Sequence, residues 1–138
     1  MFRSREVSPR LITSLKPDEW RLLLTVRPNV LLEGSEAATD AVVSEAMGWL
    51  PKPHATWTGA PTPDRPATLV VRSLSSLDRD AQQSLLAWLE APGDQVQVIS
   101  TTTEPLYPLV IRGDFLPNLY YRLNVLLLDI AANGRVAS

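Results

Sequence analysis

A three-layer α/β domain on a mostly parallel sheet is the fold this sequence predicts, and three observations predict it. First, its strongest apolar segments, Val30–Leu32, Ala67–Val71, Val96–Ile99 and Leu123–Ile130, are short continuous runs, not alternating ones. Strands read that way when both faces are buried, as they are in parallel sheets. Second, segments of helical spacing lie between the runs, and such alternation puts crossover helices on both faces of one sheet. Third, 138 residues suit one domain with a real core and are too few for two.

The elements follow in order. Residues 17–26 predict a short helix: Pro17 fits the first turn, and Asp18 and Glu19 fit the positive end of the helix dipole. Pro28 and Asn29 end it, so residues 1–28 read as an N-terminal helical extension of a single domain over 1–138. Val30–Leu32 is the first strand, closing at Gly34. Ser35 then caps a helix reaching Trp49, with Ala38, Ala41, Val42, Ala46 and Trp49 on its apolar face. Prolines 51, 53, 61, 63 and 66 make the next stretch a loop, with room for a short extended piece, a fifth strand, near Ala55–Thr58. Ala67–Val71 is a strand. Asp78 or Ser76 caps a helix over Arg79–Glu90 that turns Leu85, Leu86 and Leu89 inward. Pro92-Gly93-Asp94 turns the chain into the strand at Val96–Ile99. Leu106–Arg112 and Phe115–Arg122 are helices shortened by Pro108 and Pro117, Leu123–Ile130 is the last strand, and 131–138 is a flexible tail.

Composition narrows the function. There is no cysteine and one histidine, which removes disulfides, thiolate chemistry and multi-histidine metal sites. No metal or cofactor is expected. Glu36, Asp40 and Glu45 read as a solvated helix face, and His54 as a surface residue in the proline-rich loop. Ser35, Ser73 and Ser75 lack the flanks of a nucleophile elbow. A net charge of −2 gives no surplus to hold nucleic acid or an anionic membrane, so neither is an expected partner. No run nears the about 20 apolar residues that span a bilayer, and the start is polar, so a cytoplasmic protein is expected. Trp49 and Trp88 fall on apolar helix faces, whereas Trp57 lies in the loop, where an exposed indole would suit an interface.

Gly113-Asp114-Phe115-Leu116-Pro117-Asn118-Leu119-Tyr120-Tyr121-Arg122-Leu123-Asn124-Val125 resembles the G-x-F-R-x-D-L-Y-Y-R-L-N-V segment of the sigma-54-dependent transcriptional activators, which are AAA+ ATPases. Thr68–Leu74 and Asp80–Leu86 are similar to that family's T-L-F-L-D-E-I and L-x-x-Q-x-x-L-L stretches. Val98–Thr102 resembles the strand that ends at sensor 1, and Asn29–Gly34 the strand that leads into the P-loop. The resemblance implies a P-loop/AAA+-like sheet of four to five strands over about Asn29–Ile130.

The departures fall on residues with physical tasks. A P-loop reads G-x-x-x-x-G-K-[ST]: amides and lysine for phosphate, hydroxyl for magnesium. Aligned on Gly34, its second glycine is Thr39, its lysine Asp40 and its hydroxyl Ala41, so a carboxylate stands where phosphate would sit. The carboxylates that hold magnesium and orient water are replaced by Arg72 and Ser73. In the family's arginine-finger region the first position is Leu116, and the second, Arg122, is kept. Thr56–Ala60 echoes part of the sigma-contacting G-A-F-T-G-A loop, and the sequence stops where the family's helical lid would begin. Gly34, Thr39, Asp40, Ala41, Arg72 and Ser73 thus form an expected degenerate nucleotide site. Arg72 is either an anion ligand or a surface charge paired with Asp40. Tyr120, Tyr121 and Arg122, at a subunit boundary in the family, serve either an interface or packing, and Trp57 joins them as an interface candidate.

The expected function is non-catalytic: a regulatory module linked to bacterial transcription that binds an AAA+ regulator or a second copy of itself. The alternative is a weak nucleotide sensor using a repurposed P-loop site.

Overall fold

The computed structural model describes residues 25–48, 50–59, 65–93 and 95–130. The expected tail, Trp20, Trp49, Ala60 and all of the predicted 17–26 helix except Thr25 and Val26 lie outside them. In chain order the elements are β1 (Val30–Glu33), α1 (Glu36–Ala46), β2 (His54–Thr56), β3 (Thr68–Val71), a 3-10 turn (Leu74–Ser76), α2 (Arg79–Glu90), β4 (Gln97–Thr102), α3 (Tyr107–Arg112), α4 (Pro117–Leu123) and β5 (Leu126–Asp129). Every strand pair is parallel, and the order is β2-β3-β4-β1-β5. The three-layer α/β fold with five parallel strands is the one the sequence predicts.

The continuous apolar runs have the expected cause. Alternate residues of each central strand feed two separate cores. Val30, Leu32, Val70, Ile99 and Leu128 pack on one face under Ala38, Val42, Val43 and Ala46 of α1. Leu31, Leu69, Val71 and Val98 pack on the other under Leu85 and Trp88 of α2, Leu109 of α3 and Leu119 of α4.

Four local expectations need correction. The inner face of α1 includes Thr39 and Val43, while Ala41 is only half-buried. Thr39 is admitted because its hydroxyl donates back to Ser35 O (3.0 Å) and Glu36 O (3.2 Å), which removes the cost of burying it. In α2, Trp88 and Gln82 are buried with Leu85, whereas Leu86 and Leu89 are half-buried at the margin. Leu123 ends α4 and does not open the last strand. Trp57 is no exposed loop residue: it is 7% exposed, its ring centroid lies 6.0 Å from that of Trp88, and its amide donates to Val70 O (2.8 Å). The loop's prolines suggested surface, but a large ring gains more from burial than the loop loses in freedom. Trp57 is therefore core, not interface.

Among the described residues no helix is long and apolar enough to cross a membrane, and no group of His, Cys, Asp or Glu could hold a metal ion.

Candidate functional site

Because all the strands are parallel, their C-terminal ends share one edge of the sheet, where ligands enter open α/β folds. β1 ends at Glu33 and α1 begins at Glu36, so only Gly34 and Ser35 connect them. The phosphate loop of a P-loop protein lies between strand and helix and delivers phosphate to the helix N-terminus. Two residues cannot form that loop. Thr39, Asp40 and Ala41 stand in the second turn of α1, not at its start. The connection observed here is the two-residue turn, with the aligned positions inside the helix.

The groups left at this edge bind one another. Ser35 Oγ accepts the Ala38 amide (3.2 Å), and Ser35 O accepts the Thr39 amide (2.9 Å). The Gly34 amide donates to Thr102 O (3.0 Å), and Thr102 Oγ1 donates to Glu104 O (2.7 Å). Just past β3, Ser73 adopts a left-handed conformation (φ 57°), and its amide donates to Thr101 Oγ1 (2.9 Å). Arg72 Nε lies 3.4 Å from Asp40 Oδ1, with side chains 40% and 46% exposed. This is the pairing with Asp40 left open by the sequence.

Gly34 is held for a reason unrelated to phosphate. A Cβ there would lie 2.5 Å from Ile130 O and 3.1 Å from Ile130 Cβ. The Ile130 amide donates to Glu33 O (2.7 Å), so the chain after β5 crosses directly over this turn.

Negative charge adds to the closure. Glu33 and Asp129 are register partners across β1 and β5. Burial, and then the charge of Asp129, raises the Glu33 carboxyl above its ordinary value of 4.5. The folded state thus binds this proton more tightly than the unfolded state does. The associated stability is fully present below pH 4.5 and is lost as pH rises through the raised folded value. Glu33→Gln should therefore raise the thermal midpoint at neutral pH, by on the order of 0.5 kcal/mol after solvent screening. The gain should vanish below pH 4.5. An equal gain at both pH values, by scanning calorimetry, would rule out charge as the cause.

The remaining candidates lie elsewhere. Tyr120 is half-buried between Tyr107 and Tyr121 (ring centroids 6.1 and 5.1 Å), and its hydroxyl accepts Asn124 Nδ2 (3.0 Å). Tyr121 is 64% exposed, and Arg122 Nη2 approaches Glu90 Oε2 at 3.8 Å. Tyr120 thus contributes packing, and Tyr121 presents a free ring face.

Sequence reasoning missed Gln82. This 1%-exposed side chain donates from Nε2 to Leu77 O and Asp114 O (both 3.0 Å), and its Oε1 accepts the Leu116 amide (2.8 Å). It ties α2 to the connection between α3 and α4. The available signals were a glutamine inside an amphipathic helix, one turn before the inward Leu85, and its match to the glutamine of the L-x-x-Q-x-x-L-L stretch.

Taken with the fold, these features define an α/β domain of the AAA+ type. Residues 51–132 match the family model for the sigma-54 interaction domain, and the chain belongs to that family. Among solved structures it resembles NtrX from Brucella abortus in complex with ADP (TM-score 0.60, 17% identity, 81% of this chain and 33% of that one). It resembles NtrX from the same organism in complex with ATP (TM-score 0.60, 20% identity, 79% and 32%) and NtrX without a stated ligand (TM-score 0.57, 16% identity, 79% and 34%). The chain spans about a third of the length of the NtrX chains it matches. Comparison with curated protein sequences gave no match.

Proposed function

We propose that this chain is a non-catalytic sigma-54 interaction domain, a regulatory module of bacterial transcription that acts by binding protein and not by turning over ATP. One observation carries the reading: the two-residue turn between β1 and α1, whose capping hydroxyl and carbonyl serve its own helix. Without a loop there is no cradle for phosphates, and the Arg72–Asp40 pair fills the space beyond it. The same observation weighs against the nucleotide-sensor reading.

The partner class follows from the exposed part of the Gly113–Val125 segment. Tyr121 and Val125 are exposed, as is Ile111 on the preceding helix. A related AAA+ subunit, or a second copy of this chain, would bury them. The test is sedimentation of the purified chain alone and mixed with a catalytically intact sigma-54 interaction domain, together with the ATPase rate of the mixture. Self-association or a changed ATPase rate is expected, and Tyr121→Ala should weaken it about tenfold without lowering the thermal midpoint. A monomer at high micromolar concentration that leaves the intact ATPase unaffected would sink the proposal, as would ATP turnover by this chain itself.

Asp40→Lys separates the two readings. It places a second cation beside Arg72 and removes an exposed ion pair, costing under about 1 kcal/mol of stability. No saturable ATP binding should appear by calorimetric titration, because a lysine without a loop holds no phosphate chain. Clear saturation would move the sensor reading ahead.

A further inference from the structure

β5 is the last strand at one side of the sheet, and among the described residues β1 is its one strand neighbour. The Leu126 amide donates to Asn29 O (3.1 Å) and the Ile130 amide to Glu33 O (2.7 Å). Successive peptide groups of a strand point to opposite sides, so the Leu127 and Asp129 amides face away from β1. The carbonyls of Val125, Leu127 and Asp129 face the same way. Such an edge is a template for another strand, and native sheets guard it with charge, proline or a bulge. Along Leu126–Asp129 the guard is one carboxylate at the far end, while Val125 and Leu127 stand 62% and 46% exposed beside the outward groups.

We propose that β5 pairs with β5 of a second copy of this chain, antiparallel across a two-fold axis, and joins the two sheets into one. The inference rests on the protein-binding reading above and specifies its partner and contact. A two-fold axis relates a strand to itself only in the antiparallel sense, so the outward groups of one copy meet the same groups of the other. The side chains then select the register, because residues directly opposite share a face of the sheet. Centred on Leu126, the pairing sets Val125 against Leu127 of the other copy, twice, and covers both exposed apolar side chains. Centred on Leu127 or Leu128, it sets Asp129 against Val125 or Leu127; centred on Asp129, it brings two carboxylates together. The Leu126 register also carries Asp129 of each copy toward the end of α4 in the other, where Arg122 meets Glu90 only at 3.8 Å with its side chain 42% exposed. Asp129 lies beside the like charge of Glu33, and among the described residues no cation pairs with either. The exposed guanidinium of the second copy complements that carboxylate, and its loose bond to Glu90 costs little to share.

The test is sedimentation of the full chain over a wide range of concentration, with hydrogen exchange followed at its two ends. A dimer is expected, in which the outward Leu127 amide gains protection as concentration rises. Leu127→Lys should weaken the dimer by about tenfold or more, since it sets a charge against an apolar partner on each side of the axis. Leu127→Pro removes an outward amide and no bond to β1, so it should weaken the dimer as much. Thermal midpoints accompany both, and Leu127→Lys, at an exposed position, decides if the proline variant loses stability. A chain that stays monomeric overturns the proposal, and so does a dimer that Leu127→Lys leaves intact. A monomer that still changes the ATPase rate of an intact sigma-54 interaction domain would sink the edge pairing alone and leave the protein-binding reading standing. A dimer weakened by Tyr121→Ala but not by Leu127→Lys would place the contact on α4, with the same consequence.

Discussion

Replacing Gln82 by Ala is expected to lower the stability of the folded chain by about 2 kcal/mol, through loss of several part-buried hydrogen bonds to backbone. The side chain saturates two carbonyls and one amide from two separate segments, the turn before α2 and the α3–α4 connection. Leu77 and Leu116 are half-buried and Asp114 is exposed, so water replaces part of what the side chain supplies and not all of it. Gln82→Leu separates this cause from simple loss of volume. It refills the space but leaves the same three groups unpaired, so it should cost nearly as much as Gln82→Ala. Chemical denaturation measures both. A near-neutral Gln82→Leu would show that packing, and not hydrogen bonding, holds α2 to the connection that follows α3.

Gly34→Ala carries the second large effect. The new Cβ would meet the Ile130 carbonyl at 2.5 Å, a contact with backbone that no rotamer change relieves. Either the chain after β5 moves or the β1–α1 turn does, and overpacking of this kind costs about 2–3 kcal/mol. Hydrogen exchange should show where the strain goes: protection should fall first along Leu126–Ile130, whose pairing to β1 ends at Glu33 and Ile130. The sequence aligns Gly34 with a P-loop glycine, yet this crossing by itself accounts for a glycine there. A variant of wild-type stability would contradict that explanation.

Much of the fold was legible because burial on both faces writes itself into sequence as continuous apolar runs. β1, β3, β4 and β5 all carried that mark. β2 was weaker, since His54, Ala55 and Thr56 form an edge strand with little apolar content amid prolines. Trp57 was misread because local composition describes a loop and not what lies above it; its partner Trp88 is 31 residues away. Thr39 was legible only as a substituted glycine, whereas its hydroxyl serves the helix. The Arg72–Asp40 pair was within reach of sequence reasoning, because a strand-end arginine and a helix carboxylate of opposite charge fall on two positions aligned with functional ones. The short turn after β1 was within reach as well, because Gly34 closes the strand and Ser35 caps the helix that follows. Motif alignment alone hides that turn, because it preserves spacing by construction. Gln82 shows the same limit: hydrogen bonds to distant backbone leave no periodic trace.

The position of β1 governs how the chain assembles. It is the first described strand, and it lies between the last two: Val30 pairs with Ile99 on one side and with Leu126 on the other. During synthesis β1 therefore emerges with no neighbour, and both its flanks wait for the final third of the chain. Such long-range closures slow folding and leave apolar strands uncovered meanwhile. Nascent chains halted before Leu126 should remain open to proteases and chaperones, because β1 still has one bare side.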